Sequence, residues 1–248
     1  MISCVSGHSH RGRFITFEGL DGCGKSTQLE KLAAVLRAHG LPVVTTREPG
    51  GTETGEKIRR LLLDTATSGL SPLAEMAFMF ASRAQHIKEV IEPALAEGSV
   101  VLCDRFTDST EAYQGGGRKL GSEPVLALHR ILCGDLQPEL TILMDSEVAA
   151  SVERARRRNQ ARSNQARTSQ ARGCHRRKEN DENRFEQESR AFFGRVRAAY
   201  LALADREPQR VVVVDARGSA DKTHTQIVEI VRRKLKAEFG RRTSGVGL

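Results

Sequence analysis

The chain has 248 residues, 39% apolar and 28% charged, which is ample for one packed core and excludes disordered and fibrous classes. Apolar runs such as Val211–Val214 fall far short of the roughly 20 residues needed to cross a bilayer, and residues 1–13 lack the apolar segment of a secretory signal, so a cytoplasmic protein without a membrane partner is expected. The net charge of +8 is local, because residues 151–185 hold eleven Arg or Lys against four acids, and this disfavours a general nucleic-acid-binding surface.

Residues 1–12 are polar and without periodicity and are expected to form a disordered extension. A buried strand is predicted at 13–18, followed by a Gly-rich loop and a helix whose stripe is Leu29, Leu32, Ala33 and Leu36. Further strands are predicted at 42–46, 99–103, 140–144 and 210–214, and a last helix carries Ile227, Ile230, Val231 and Leu235. Strands alternating with helices mean crossover connections, hence an α/β fold in three layers with a five-stranded parallel sheet flanked by helices. Ligands then sit at the carboxyl ends of the strands. Residues 159–172, NQARSNQARTSQAR, form a short repeat without large apolar side chains; they are expected to be a low-complexity insertion between helical flanks at 148–158 and 185–203. Residues 241–248 are expected to be a disordered tail. Cys4, Cys23, Cys103, Cys133 and Cys174 are odd in number and scattered, and are expected as reduced thiols.

Directly after the first strand stand Gly19, Leu20, Asp21, Gly22, Cys23, Gly24, Lys25, Ser26 and Thr27, a match to G-x-x-x-x-G-K-[ST] in the strand–loop–helix context that the motif requires. Backbone N–H groups and a helix N-terminus there cradle the phosphates of a nucleoside triphosphate, Lys25 reaches the β and γ phosphates, and Ser26 is a ligand for Mg²⁺. The 99–104 strand ends in Asp104, which places a carboxylate beside that ion, and Arg105 follows at once. Thr46–Thr52 puts an Arg and a Glu at a Pro-Gly turn near the same sheet edge, and Ser109, Thr110, Tyr113 and Gln114 precede a triple-glycine turn.

The segments GLDGCGKST, TREPGGT, ASRAQH, DRFTDSTEAYQGGGR and NRFEQE, in this order, resemble the bacterial thymidylate kinases over residues 13–235. The segment from Asp104 to Arg118 is the most discriminating, since adenylate and guanylate kinases share the phosphate loop and lack it. The resemblance implies a P-loop, nucleoside-monophosphate-kinase-like domain over 13–240 with a lid at 151–185 and an insertion at 159–180. It also implies transfer of the γ-phosphoryl of ATP to dTMP, and a homodimer. By the same resemblance Arg105 holds the dTMP phosphate, Asp21 lies near the sugar 3′-hydroxyl and the acceptor phosphate, and Arg83 reaches a thymine carbonyl. Ser109, Thr110 and Gln114 lie beside the acceptor nucleotide, with Tyr113 against C2′. The aromatic residue that stacks on thymine in the family is replaced by Met79, with Phe80 as the alternative. Gly22 stands where some members carry an arginine, which moves the transition-state cation to the lid, to Arg154, Arg156, Arg157 or Arg158, with Arg158 first among them. Asn183 replaces a family acid before Arg184, and Glu186 falls on a family glutamate. Two other readings are a kinase with a different acceptor and a nucleotide-switched RNA-binding protein that uses the Arg-rich repeat.

Overall fold

The computed structural model describes residues 11–67, 69–170 and 184–235, without the side chains of 158, 159, 162–170 and 186. Residues 1–10 of the expected extension, 171–180 of the expected insertion and the whole expected tail 241–248 lie outside the described residues, as do 181–183 and 236–240.

Five strands, β1 (Arg13–Glu18), β2 (Val43–Arg47), β3 (Val100–Asp104), β4 (Leu140–Asp145) and β5 (Val211–Asp215), form one sheet in the order β2-β3-β1-β4-β5. Every pairing is parallel. Because β1 is central and covered on both faces, its side chains alternate between two cores rather than between core and solvent. Ile15 and Phe17 pack with Leu29, Leu32, Ala33 and Leu36 of α1 (Lys25–Ala38) and with Ile227 and Val231 of α9 (Ala220–Lys234). Phe14 turns the other way, to Met76 and Phe80 of α3 (Pro72–His86) and to Val125 of α6 (Ser122–Cys133). A third apolar group lies under α8 (Arg190–Arg206), where Phe192, Val196, Tyr200 and Leu203 meet Leu20, Tyr113 and Leu143.

The helices start where local chemistry caps them: Thr52 for α2 (Glu53–Leu63), Ser71 for α3, Ser189 for α8 and Ser219 for α9 each accept a backbone N–H two or three residues inside the helix. Beyond His86 the chain continues through a wide π turn (Ile87–Ile91) into α4 (Glu92–Ala96). A short helix α5 (Thr107–Thr110) similarly runs on into π turns over Glu111–Gly117.

One expectation is corrected. The repeat does not interrupt the helix at Arg158, because α7 runs unbroken over Val148–Gln170. Ala, Arg and Gln are strong helix formers and the stretch has no Gly or Pro before Gly173, so propensity sustains the helix where no core does.

Candidate active site

The register of the central strands sets the site. Phe17 of β1 lies beside Asp104 of β3, so the loop that leaves β1 at Gly19 and the Asp104–Arg105 pair share one carboxyl edge of the sheet. Lys25 is the first residue of α1, and its Nζ donates to the carbonyls of Gly19 (3.2 Å) and Leu20 (2.9 Å), within the loop. Gly22 has φ +81°, and a Cβ at this position would lie 2.3 Å from the Ser151 carbonyl of α7. The start of α7 is thereby seated on the Gly-rich loop, and Arg154 Nε donates to Gly22 O at 2.8 Å. Cys23 is buried, and burial pushes its thiol above the ordinary value, which makes it a loop filler rather than a nucleophile.

Asp104 Oδ2 accepts from Ser26 Oγ at 2.8 Å, while its Oδ1 is buried without a hydrogen-bond partner. A hydroxyl and an uncommitted carboxylate oxygen are the hard donors that Mg²⁺ takes, so the residues present fit that ion.

Arg105 is the hub of the site. Its backbone is left-handed (φ 77°) and is anchored by donation of its N–H to Phe17 O. Nη1 donates to Ser109 Oγ (2.9 Å) and Tyr200 OH (3.1 Å), and Nη2 to Asp21 Oδ1 (2.9 Å) and Tyr113 OH (3.2 Å). The guanidinium also lies 4.9 Å from the centre of the Tyr113 ring. Asp21, Arg105, Ser109 and Tyr113, expected together from the sequence, are thus directly joined.

Two members of this group escaped the sequence reading. Glu18, fully buried at the end of β1, accepts from Phe106 N (2.7 Å), Tyr200 OH (2.9 Å) and Ser109 Oγ. Burial, reinforced by the nearby Asp108 carboxylate and opposed by Arg105, raises its pKa to about 7. A carboxylate inside an otherwise apolar strand just before the loop was the signal available. Tyr200 comes from α8, and as one of only two tyrosines in the chain it left no spacing signal.

Arg83 is 2% exposed and lies over Phe80 (4.7 Å) and Phe106 (5.2 Å). Its Nε donates to Glu48 Oε2 at 2.7 Å, and its Nη2 to Phe106 O and Thr110 Oγ1 at 3.1 and 2.9 Å. Nη1 is buried with no partner, an arrangement that costs free energy unless a ligand supplies an acceptor. Phe80 is fully buried under Arg83 in the core, so it cannot cover a base. Met79 is half-buried and packs on the side of Tyr113 and Leu20.

Gln114 is buried and donates to Glu75 Oε1 at 2.7 Å, so its amide is spent inside the protein. Glu75 also accepts from Arg118 (Nη2, 3.0 Å) and is ion-paired with Arg184 Nη2 at 2.7 Å without a hydrogen bond, and Arg118 reaches Glu188. This cluster ties the chain after the lid to α3, and these arginines hold the Glu75 pKa below its ordinary value against burial, which alone would raise it. Arg157 pairs with Glu153 one turn earlier in α7 at 2.7 Å. Arg156 has a partner of its own. Arg158 stands one turn after Arg154 in α7, but its side chain, like that of Glu186 and all of Asn183, lies outside the described residues.

A family model described as thymidylate kinase matches residues 17–172. A thymidylate kinase of Geobacter sulfurreducens is 44% identical over 224 residues, covering 90% of this chain and 98% of that one. One of Pseudomonas syringae pv. tomato is 46% identical over 228 residues, covering 89% and 99%. The crystal structure of thymidylate kinase from Ehrlichia chaffeensis is similar at a TM-score of 0.66 and 30% identity, over 89% of this chain and 99% of that one.

Proposed function

The chain belongs to the thymidylate kinase family, and we propose that it carries out the ATP-dependent phosphorylation of dTMP to dTDP with the residues gathered at this sheet edge. The observation that carries this reading is the fixing of Arg105 against Asp21 of the phosphate loop at 2.9 Å. A cation held there by carboxylate, phenol and hydroxyl groups is set to take an acceptor phosphate next to the donor phosphates, which a nucleoside kinase would not need. Transfer between two phosphates is mostly positioning and charge neutralisation. Lys25 and the loop N–H groups hold the donor, and Arg105 holds the acceptor. The lid arginines, with Arg154 already seated on the loop and Arg158 one turn further, supply charge to the group in flight. Ser26 and Asp104 are the residues that would hold Mg²⁺, which when bound neutralises the triphosphate and orients it.

On the acceptor side, Arg83 Nη1 supplies the donor for a thymine carbonyl, Thr110 and Ser109 line the same wall through their bonds to Arg83 and Arg105, and Tyr113 crowds the sugar. Met79 is the side chain we assign to the face of the base. The apolar side chains Leu61 of α2, Leu73 of α3 and Ile131 and Leu132 of α6 are exposed, with α2 and α6 each packed on α3, and exposed apolar side chains on these helices support a homodimer. The buried free thiols Cys23, Cys103 and Cys133 accord with a cytoplasmic home.

The test is ADP release from ATP and Mg²⁺ with dTMP, dUMP, UMP, CMP, AMP, GMP and thymidine as separate acceptors. Turnover with dTMP should far exceed the rest and thymidine should give none, because Arg105 then has no phosphate to hold. A preference for another nucleotide would overturn the assignment of Arg83 and Met79 to thymine.

A further inference from the structure

We infer that Glu48, backed by His86, is a positioning residue for base recognition, acting through Arg83. The inference rests on the reading of Arg83 as the thymine contact and extends it to residues that touch no ligand. Glu48 ends the chain's turn out of β2, with its own N–H held by Asp104 O at 2.9 Å. Its carboxylate is 3% exposed and divided between two partners: Oε2 takes Arg83 Nε at 2.7 Å, and Oε1 takes His86 Nδ1 at 2.9 Å. A carboxylate only accepts, so Nδ1 carries the proton, and the other ring nitrogen pairs with Thr46 Oγ1 at 2.6 Å. The relay Thr46–His86–Glu48–Arg83 therefore runs from β2 into the base wall.

Its geometry is held from both sides. Gly51 leaves room for the imidazole, since a Cβ there would lie 2.6 Å from its Cδ2 and Nε2. Gly50 N donates to Ser82 Oγ at 3.2 Å, so Ser82, Arg83 and His86 of α3 grip the same turn. The donor atoms of Glu48, His86 and Cys103 lie within 4.8 Å of one another, yet this is a hydrogen-bonded relay and not a metal cage. Glu48 is already committed to the Arg83 guanidinium, and His86 Nδ1 faces the carboxylate rather than a shared centre.

The consequence concerns orientation. A guanidinium held at Nε by a carboxylate and at Nη2 by Thr110 and the Phe106 carbonyl has a fixed plane, so the remaining Nη1 keeps one direction. Such a donor rewards an acceptor on the base and penalises an amino group there. Weakening Glu48 frees the plane, so affinity for dTMP and discrimination against dCMP should fall together while phosphoryl transfer continues.

The experiment is steady-state kinetics of Glu48→Gln, Arg83→Gln and the double variant, with dTMP and dCMP as acceptors and ATP saturating or varied. Glu48→Gln should raise KM for dTMP by about 10- to 100-fold, leave KM for ATP unchanged and narrow the dTMP over dCMP preference. In the Arg83→Gln background the same substitution should have little further effect, because its route to the base is gone. Equal losses in both backgrounds, or a fall confined to kcat, would overturn the inference and make Glu48 a purely structural ion-pair partner. Arg83→Gln with an unmoved KM for dTMP would instead overturn the reading of Arg83 itself. Should Glu48→Gln fail to fold, Thr46→Val removes only the outer bond of the relay; a rise of about twofold or more in KM for dTMP, absent when Arg83 is also changed, is the expected result, and no rise overturns the inference.

Discussion

Asp21 and Arg105 meet at 2.9 Å across the mouth of the site, one from the phosphate loop after β1 and the other from the residue after β3. In the proposed reaction the pair joins the donor and acceptor halves, and both carboxylate oxygens are used, since Tyr113 OH donates to Oδ2 at 3.3 Å. Arg105 spends four bonds in a fork that a lysine cannot reproduce. Arg105→Lys should keep the fold and lower kcat/KM for dTMP by about 100-fold or more, with KM for ATP little changed. Initial rates over both substrates check this, and a loss below tenfold would count against Arg105 as the acceptor-phosphate cation.

The buried Glu18 gives a pH prediction. Its carboxyl pKa is about 7 in the folded protein, from burial and the neighbouring Asp108, against the ordinary value of 4.5 when unfolded. Between those values the native state binds the extra proton, so stability from this group is complete below about 4.5 and falls as pH rises toward 7. Glu18→Gln does not titrate and removes this slope. The difference in Tm between Glu18→Gln and wild type should therefore shift in favour of the variant as pH is raised from 4.5 to 7.5, and a difference that is flat over that range would sink the assignment.

A second stability prediction concerns the underside of the sheet. Asp108 is 5% exposed and accepts from Nη1 and Nη2 of Arg210, at 2.7 and 3.0 Å, as well as from Thr141 Oγ1 at 2.9 Å. Removing the cation leaves a buried carboxylate uncompensated, so Arg210→Met should cost about 3 kcal/mol, while Asp108→Asn with Arg210→Met together should cost less than the sum of the two singles. Urea unfolding of the four proteins measures the coupling.

The sheet was legible because each strand is a short apolar run between turn signals, and β1 to β5 fall within a residue or so of their expected limits. The loop between β1 and α1 was legible because Gly19, Gly22, Gly24 and Lys25 stand close together in one short segment. Glu48, His86 and Tyr200 were harder to see, since their partners lie 35 or more residues away and only the packing of α3 and α8 against the sheet edge brings them together. Glu48 was visible as an acid at a turn, but nothing in the sequence said that its carboxylate faces Arg83 rather than solvent. The helix through the repeat was not legible because it carries no apolar stripe and rests on the helix propensity of Ala, Arg and Gln alone.

The seat of α7 on the phosphate loop depends on one missing side chain. Gly22 holds φ +81° and lies so close to α7 that an added Cβ would be 2.3 Å from Ser151 O and 2.9 Å from Ala155 N, both backbone atoms that cannot swing aside. Gly22→Ala therefore faces backbone strain and a collision, and the lid helix must retreat from the loop, taking Arg154 from its bond to Gly22 O. Thermal stability should fall by about 1–3 kcal/mol. On the proposed roles, in which the arginines of α7 supply charge to the transferred group and Arg83 and Arg105 on other elements hold dTMP, kcat should fall more than tenfold while KM for dTMP changes little. Arg154→Ala separates the two contributions: it removes the cation without the collision, so it should lower kcat while leaving Tm close to that of wild type. If Gly22→Ala kept full kcat, the contact between loop and α7 would have no part in placing the lid arginines.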